Sequence, residues 1–318
     1  MFNKAETDED AANLVKEIEE LIIDNKWIEY FKEVKIAQGW VDFEKEISIV
    51  IQTFDSVRKK LLIEHKKTGK GITLTNYEIS VLKPFIGKNK TVFFNMSPIE
   101  NWKSQLLKDL NRLTRCLEIY LSDYIQNIPI KNKLPDIIDL NIHAIVSFNY
   151  TDTYRKNYDA TNLKKIDCDF IHGKADINHN INTCNMVIGI DEYLEGTEKN
   201  EDNEYIQFKK FFQRIYKATG NKYLDWLDKI KIPQAIAAPA KPNQSISNIY
   251  IYGHSLDTTD KDILATLIKA DKVKTTIFYH NQEALEQQII NLVKVISEDE
   301  LIRRTGNKNI VFKEITKL

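Results

Sequence analysis

The strongest constraint on the fold is a change in apolar spacing near Pro129 and Pro135. Before it, apolar residues recur at three- and four-residue steps, the signature of helices with one buried face. Leu14, Ile18, Leu21 and Ile22 form one stripe, and Phe43, Ile47, Val50, Phe54, Val57 and Leu61 a second. A third starts at Trp102 and runs through Leu106, Leu110, Leu113, Leu117 and Leu121 to Tyr124. These stripes read as helices burying a shared core and carry no chemistry. After the prolines, short β-branched or aromatic runs alternate with helical stretches. The runs are Ile142 to Phe148, Asp169 to His172, Asn185 to Ile190, Asn248 to Tyr252 and Lys274 to Tyr279, with helices expected at Glu204 to Lys217, Asp260 to Lys269 and Gln282 to Ile296. That alternation predicts a parallel, Rossmann-like sheet with crossover helices, hence an α/β class. The expected organisation is a mainly helical region over 1–135 and an α/β region over 136–318.

Composition narrows the function classes. With 45 basic and 46 acidic residues, a net charge of -1 gives no global field to draw in nucleic acid or an anionic membrane. Three cysteines, Cys116, Cys168 and Cys184, are odd in number and lack C-x-x-C spacing, which argues against a disulfide framework and a four-thiolate zinc site. A reducing cytoplasm fits that usage. Met1 to Asp10 carries four acidic residues and no apolar core of a secretory signal, and no stretch approaches the roughly 18 apolar residues that span a bilayer. The acid-rich Asp191 to Glu204 and lysine-rich Lys59 to Lys70 read as solvated segments.

Ligands of parallel sheets bind beyond the carboxyl ends of strands, so the residues that follow each apolar run are the place to seek a site. Three clusters qualify: Ser147 to Thr153, which includes Asn149 and Asp152; Phe170 to Lys174, which includes His172 and Gly173; and Tyr252 to Asp260, which includes Gly253 and Ser255. If the strands are neighbours, an amide, an imidazole and a glycine-serine turn converge at one crevice. Taken singly, each has a structural use: Asn149 in a turn, His172 as a turn histidine, Ser255 and Asp260 as helix caps. Among the other histidines, His65 and His179 lie in polar stretches expected to be exposed, His143 alternates within a strand and His280 ends one. None has the spacing or carboxylate neighbour of a zinc-binding helix, so no metal is expected.

The strings Ser147-Phe148-Asn149-Tyr150-Thr151-Asp152-Thr153, Phe170-Ile171-His172-Gly173, Val187-Ile188-Gly189-Ile190-Asp191 and Ile249 through Asp260 resemble, in order and character, the AbiH family of bacterial abortive-infection proteins. The early Trp40-Val41-Asp42-Phe43-Glu44-Lys45-Glu46 resembles that family's acidic stretch after a tryptophan. More distantly, the segments resemble the sirtuin-like NAD-binding domains of several phage-defence proteins. That second resemblance implies a sirtuin-like sheet in which Asn149 positions the ribose or a water and His172 is the general base. Ser147, Asp152, Gly173, Gly253, Ser255 and Asp260 would then line the dinucleotide, NAD being the implied substrate. The paired cysteines of deacetylating sirtuins are absent, so a protein deacetylase is not expected.

The family's members begin with a strand and a Gly-Asn-Gly-Phe-Asp type turn, whereas this chain opens Met1-Phe2-Asn3-Lys4 and runs into a helix. The resemblance therefore predicts that a strand and phosphate-binding turn lie upstream or have degenerated, leaving nucleotide affinity poor. Gly69-Lys70-Gly71 follows a helix and is no substitute, whereas Thr91 to Phe94 would replace the strand structurally. Three functions stand as expectations. The first is a phage-defence effector that hydrolyses NAD or a related nucleotide, and the second a non-catalytic sensor or scaffold that binds a phage or host trigger protein. The third is a serine hydrolase using Ser255, against which Asp257 occupies the place where a nucleophile elbow needs a small residue. Self-association is compatible with all three.

Overall fold

The computed structural model describes residues 9–34, 42–87, 92–129, 132–159, 166–231 and 247–316. Met1 to Lys4, Trp40, Val41 and Thr91 lie outside the described residues. In chain order the elements are α1 (Glu9–Ile22), α2 (Lys26–Glu33), α3 (Phe43–Thr68), β1 (Ile72–Thr73), α4 (Asn76–Ile86), β2 (Val92–Phe93) and α5 (Ser97–Ile119). There follow α6 (Pro135–Ile138), β3 (Ala144–Ser147), α7 (Thr153–Tyr158), β4 (Asp167–Phe170), α8 (Glu198–Glu201), α9 (Lys210–Tyr216) and α10 (Lys222–Lys231). The chain closes with β5 (Ser247–Ile251), α11 (Lys261–Lys269), β6 (Val273–Tyr279), α12 (Gln282–Ile296), α13 (Glu298–Gly306) and β7 (Ile310–Glu314). The protein is therefore a mixed α/β molecule. Among the described residues, no helix is long and apolar enough to cross a membrane.

The chain divides into two compact units. One comprises Met1–Ile128, Phe148–Asp152 and His172–Thr219; the other comprises Pro129–Ser147, Thr153–Ile171 and Gly220–Leu318. In the first unit, side-chain caps set the helix starts. Asn25 accepts from the Trp27 and Ile28 amides, Asp42 from Lys45, and Thr75 forms a reciprocal capping box with Glu78. The α3 stripe and part of the α5 stripe form the core, where Ile47, Val50, Phe54, Val57 and Leu61 of α3 pack with Trp27, Leu82, Leu106 and Leu110, whereas Ile22, Phe43 and Tyr124 of the predicted stripes are exposed. Trp27 is fully buried and its indole donates to the Leu106 carbonyl at 2.9 Å. β2 pairs antiparallel with β1, so the Val92–Phe93 run forms a small ribbon instead of substituting for a parallel strand.

The second unit carries the parallel strands. β3 pairs with β4 across α7, in the register Ala144 with Asp167 to Ser147 with Phe170. β5, β6 and β7 form a parallel sheet in that order, with α11 crossing between the first pair and α12 and α13 between the second. Ile263, Leu264, Ile268, Ile277, Leu292 and Val295 are buried there. The crossover pattern matches the sequence expectation. Among the described residues no strand pairing joins β3 and β4 to the other three, so the one large sheet is not formed. The expected strand over Asn185 to Ile190 is also absent: only Ile190 bridges, to Lys209.

Phe54 is buried at the centre of the first core, against Phe85 and Trp102. Phe54→Ala is expected to lower stability by about 3–5 kcal/mol through lost burial and a residual cavity. Urea unfolding, followed by far-UV circular dichroism, measures it; a loss below about 1 kcal/mol would mean that α3 is not a core helix.

Candidate functional site

The loop after β3 and the turn after β4 belong to the first unit, and they are joined there by backbone and ring contacts. The Ala175 amide donates to the Tyr150 carbonyl at 2.8 Å. The His172 imidazole is 4% exposed and lies edge-on to the Phe148 ring, with centroids 5.9 Å apart, and 6.5 Å from the Tyr150 ring. Asn149, between those two aromatics, is exposed. Asp152 does not stand alone: its carboxylate holds the Lys174 ammonium at 3.1 Å.

Gly173 is glycine for two independent reasons. Its φ of 81° is left-handed, and a Cβ there would overlap the carbonyl of Asn185. The Asn185 side chain in turn accepts the Lys174 amide at 3.1 Å. The His172 carbonyl accepts the Val187 amide at 2.8 Å, and the Tyr150 hydroxyl donates to the Val187 carbonyl at 2.8 Å. Asp152, His172 and Gly173 thus meet in one frame with Tyr150, Asn185 and Val187, partners that sequence spacing did not indicate.

Beside this frame lies a buried polar network. Glu118, fully buried on α5, accepts from Arg115 at 2.7 Å and from the Asp176 amide at 3.3 Å, and contacts His179 at 2.6 Å. His179, expected in solvent, is instead half-buried against that carboxylate, 61 residues away in sequence. Burial, reinforced by Glu118, pushes the Cys184 thiol up to about 12, which leaves it protonated and inert. Burial also lowers the Lys217 ammonium, whose Nζ donates to the Met186 carbonyl at 2.5 Å. Cavities of about 460 Å³ lie elsewhere in this unit, along α3, where Gln52, Ser56 and Lys60 line both.

The second unit holds Ser147, Gly253, Ser255 and Asp260. Ser147 ends β3, and its carbonyl accepts the Ile171 amide at 2.9 Å. Gly253 has φ 66° with open space where a Cβ would stand, so only its conformation requires glycine. Ser255 is exposed and its carbonyl accepts from Asn291 at 2.9 Å. The left-handed residues of this turn are Gly253 and Leu256, not the serine, unlike a nucleophile elbow. Asp257, not Asp260, caps the helical turn, accepting from the Thr259 amide at 3.1 Å. Asp260 is buried 3.6 Å from His254 Nε2, while His254 Nδ1 accepts the Leu256 amide at 2.8 Å. That acceptor role fixes the neutral tautomer with its proton on Nε2, facing Asp260. His254 stood in the sequence between two selected residues, but only folding brings Asp260 to it. Among the described residues, no cluster of three or more His, Cys, Asp or Glu could hold a metal ion.

The family model described as bacteriophage abortive infection AbiH matches residues 7–280. The chain belongs to that family. No curated protein and no solved structure matches it.

The two glycine turns differ in a measurable way. Gly173→Ala is expected to cost about 2–5 kcal/mol, from left-handed strain plus overlap with Asn185. Gly253→Ala, which meets open space, is expected to cost about 1–2 kcal/mol from conformation alone. Urea midpoints of the two variants check this, and equal losses would contradict the packing described at Gly173.

Proposed function

From membership of the abortive-infection AbiH family, we propose that the protein is a phage-defence effector that hydrolyses NAD or a related nucleotide with Asn149 and His172. The observation that supports this most is the junction of the β3 and β4 loops, where backbone hydrogen bonds tie together the segments that carry an exposed amide and a buried imidazole. Cleavage of a ribosyl-nicotinamide bond develops oxocarbenium character on the ribose, so the site must hold a ribose hydroxyl and deprotonate a water. Asn149 supplies the first function and His172 the second. The carbon–nitrogen bond breaks with its electron pair leaving on nicotinamide; water oxygen bonds to the ribose carbon, and its proton passes to His172. Gly173 presents backbone that a dinucleotide can approach, and Lys174, held by Asp152, offers a cation for a phosphate. The fold this implies is sirtuin-like, and no metal takes part.

The second reading is a non-catalytic sensor or scaffold that binds a phage or host trigger protein. The burial of His172 and the location of the cavities along α3 favour it. Nicotinamide release from NAD by the purified protein separates the two. The effector reading expects turnover in the parent, with Asn149→Ala and His172→Ala each lowering it at least about 100-fold, within the range of a lost general base, while unfolding midpoints stay close to the parent. Full phage protection by either variant would refute the site.

A further inference from the structure

The hydrogen bonds around the His172 turn have a common design: each fixes the backbone of the turn. Gly173 sits against the Asn185 carbonyl, Lys174 donates its amide to the Asn185 side chain, and Ala175 donates its amide to Tyr150. The His172 carbonyl and the Tyr150 hydroxyl then converge on Val187, one from each side of its peptide pair: the carbonyl takes the Val187 amide and the hydroxyl donates to the Val187 carbonyl. Three consecutive residues of the turn are thereby held by partners from the β3 loop and from Asn185–Val187. A turn pinned at successive amides cannot rotate without losing several bonds together.

We propose that Tyr150 and Asn185 are positioning residues that lock the His172-Gly173-Lys174 turn to the Asn149 loop, and so set the imidazole and the amide in reactive register. The inference rests on the nucleotide-hydrolysing reading of this site. Neither residue needs to touch the substrate. Asn185 acts through the Lys174 amide and the close packing at Gly173, and Tyr150 through Val187 and Ala175. Loss of either contact loosens the frame without removing Asn149 or His172, so it lowers the rate of the chemical step and leaves substrate binding largely in place.

The test compares Asn185→Leu, which removes the acceptor, with Asn185→Asp, which keeps an oxygen for the Lys174 amide, and with Tyr150→Phe, which keeps the ring and deletes the hydroxyl. Nicotinamide release with NAD gives kcat and KM, and hydrogen exchange reads the Lys174, Ala175 and Val187 amides. Asn185→Leu and Tyr150→Phe are expected to lower kcat at least about tenfold with KM within about twofold, whereas Asn185→Asp stays within about threefold of the parent. Exchange should accelerate at Lys174 in Asn185→Leu and at Val187 in Tyr150→Phe. Parent-like kcat in both disruptive variants overturns the positioning role, even where Asn149→Ala and His172→Ala are inactive. If the parent releases no nicotinamide, the hydrolytic reading falls. Exchange then judges the lock itself: unchanged protection in both disruptive variants overturns it, and acceleration at the named amides upholds it.

Discussion

Burial of Glu118 organises the region around the candidate site. A carboxylate with no exposed surface is tolerated only where cations and N–H donors replace its lost hydration. Arg115, itself 1% exposed, lies one helical turn earlier on α5 and supplies part of this, and its other donors reach Glu17 and the Asp176 and Ile177 carbonyls. The remainder comes from the segment after the His172 turn, through the Asp176 amide and His179. Pulling that segment from α5 would leave the Arg115–Glu118 pair intact but take from Glu118 the Asp176 amide and His179, and from Arg115 the Asp176 and Ile177 carbonyls, at the cost of buried polar groups left unsatisfied. The stretch between Ala175 and Asn185 is therefore anchored at a point independent of the strands, and the turn that it continues inherits the anchor.

This explains why part of the fold was legible in the sequence and part was not. The stripes of α3 and α5 follow from spacing alone, because a helix that buries one face must repeat apolar residues at that period, and the stripe residues Ile47, Phe54, Leu106 and Leu110 are buried as expected. β3, β4, β5 and β6 were likewise visible as β-branched runs ended by turn residues. Asn185 to Ile190 has the same composition yet forms no strand, because other partners take its backbone groups. Lys217 takes the Met186 carbonyl, Tyr150 the Val187 carbonyl and Gln213 the Ile188 carbonyl. Once backbone groups are satisfied there, a β ladder gains nothing. α9 departs from pattern for a related reason: Lys210, Gln213 and Arg214 are buried through specific bonds such as Lys210 to Glu44, while Ile215 and Tyr216 face outward. Spacing of apolar residues cannot reveal a helix held by its polar side.

The site was legible to the same extent. Polar residues placed directly after a strand mark where a parallel architecture exposes chain ends, and this selected Asn149, Asp152, His172 and Gly173. The rule reads position and not partnership. It missed His254, whose role depends on a turn that carries Asp260 to it, and it named Asp260 as a cap where Asp257 does that work. Nor could it find Asn185 or Glu118, or the partner of Tyr150, because these residues bind groups 11 to 61 residues away through contacts that folding creates. Local spacing carries no record of such pairs.

The geometry at Gly173 bears on how such a site can work. A left-handed residue packed against a neighbouring carbonyl has few alternative conformations, so the turn carries little freedom to lose when a ligand arrives. Preorganised groups gain most where charge develops during reaction, because they need not reorient at that moment. The aromatic surroundings of His172 act in the same direction, since Phe148 and Tyr150 exclude water from the ring. Asn149, beside them in sequence, is exposed where the imidazole is buried.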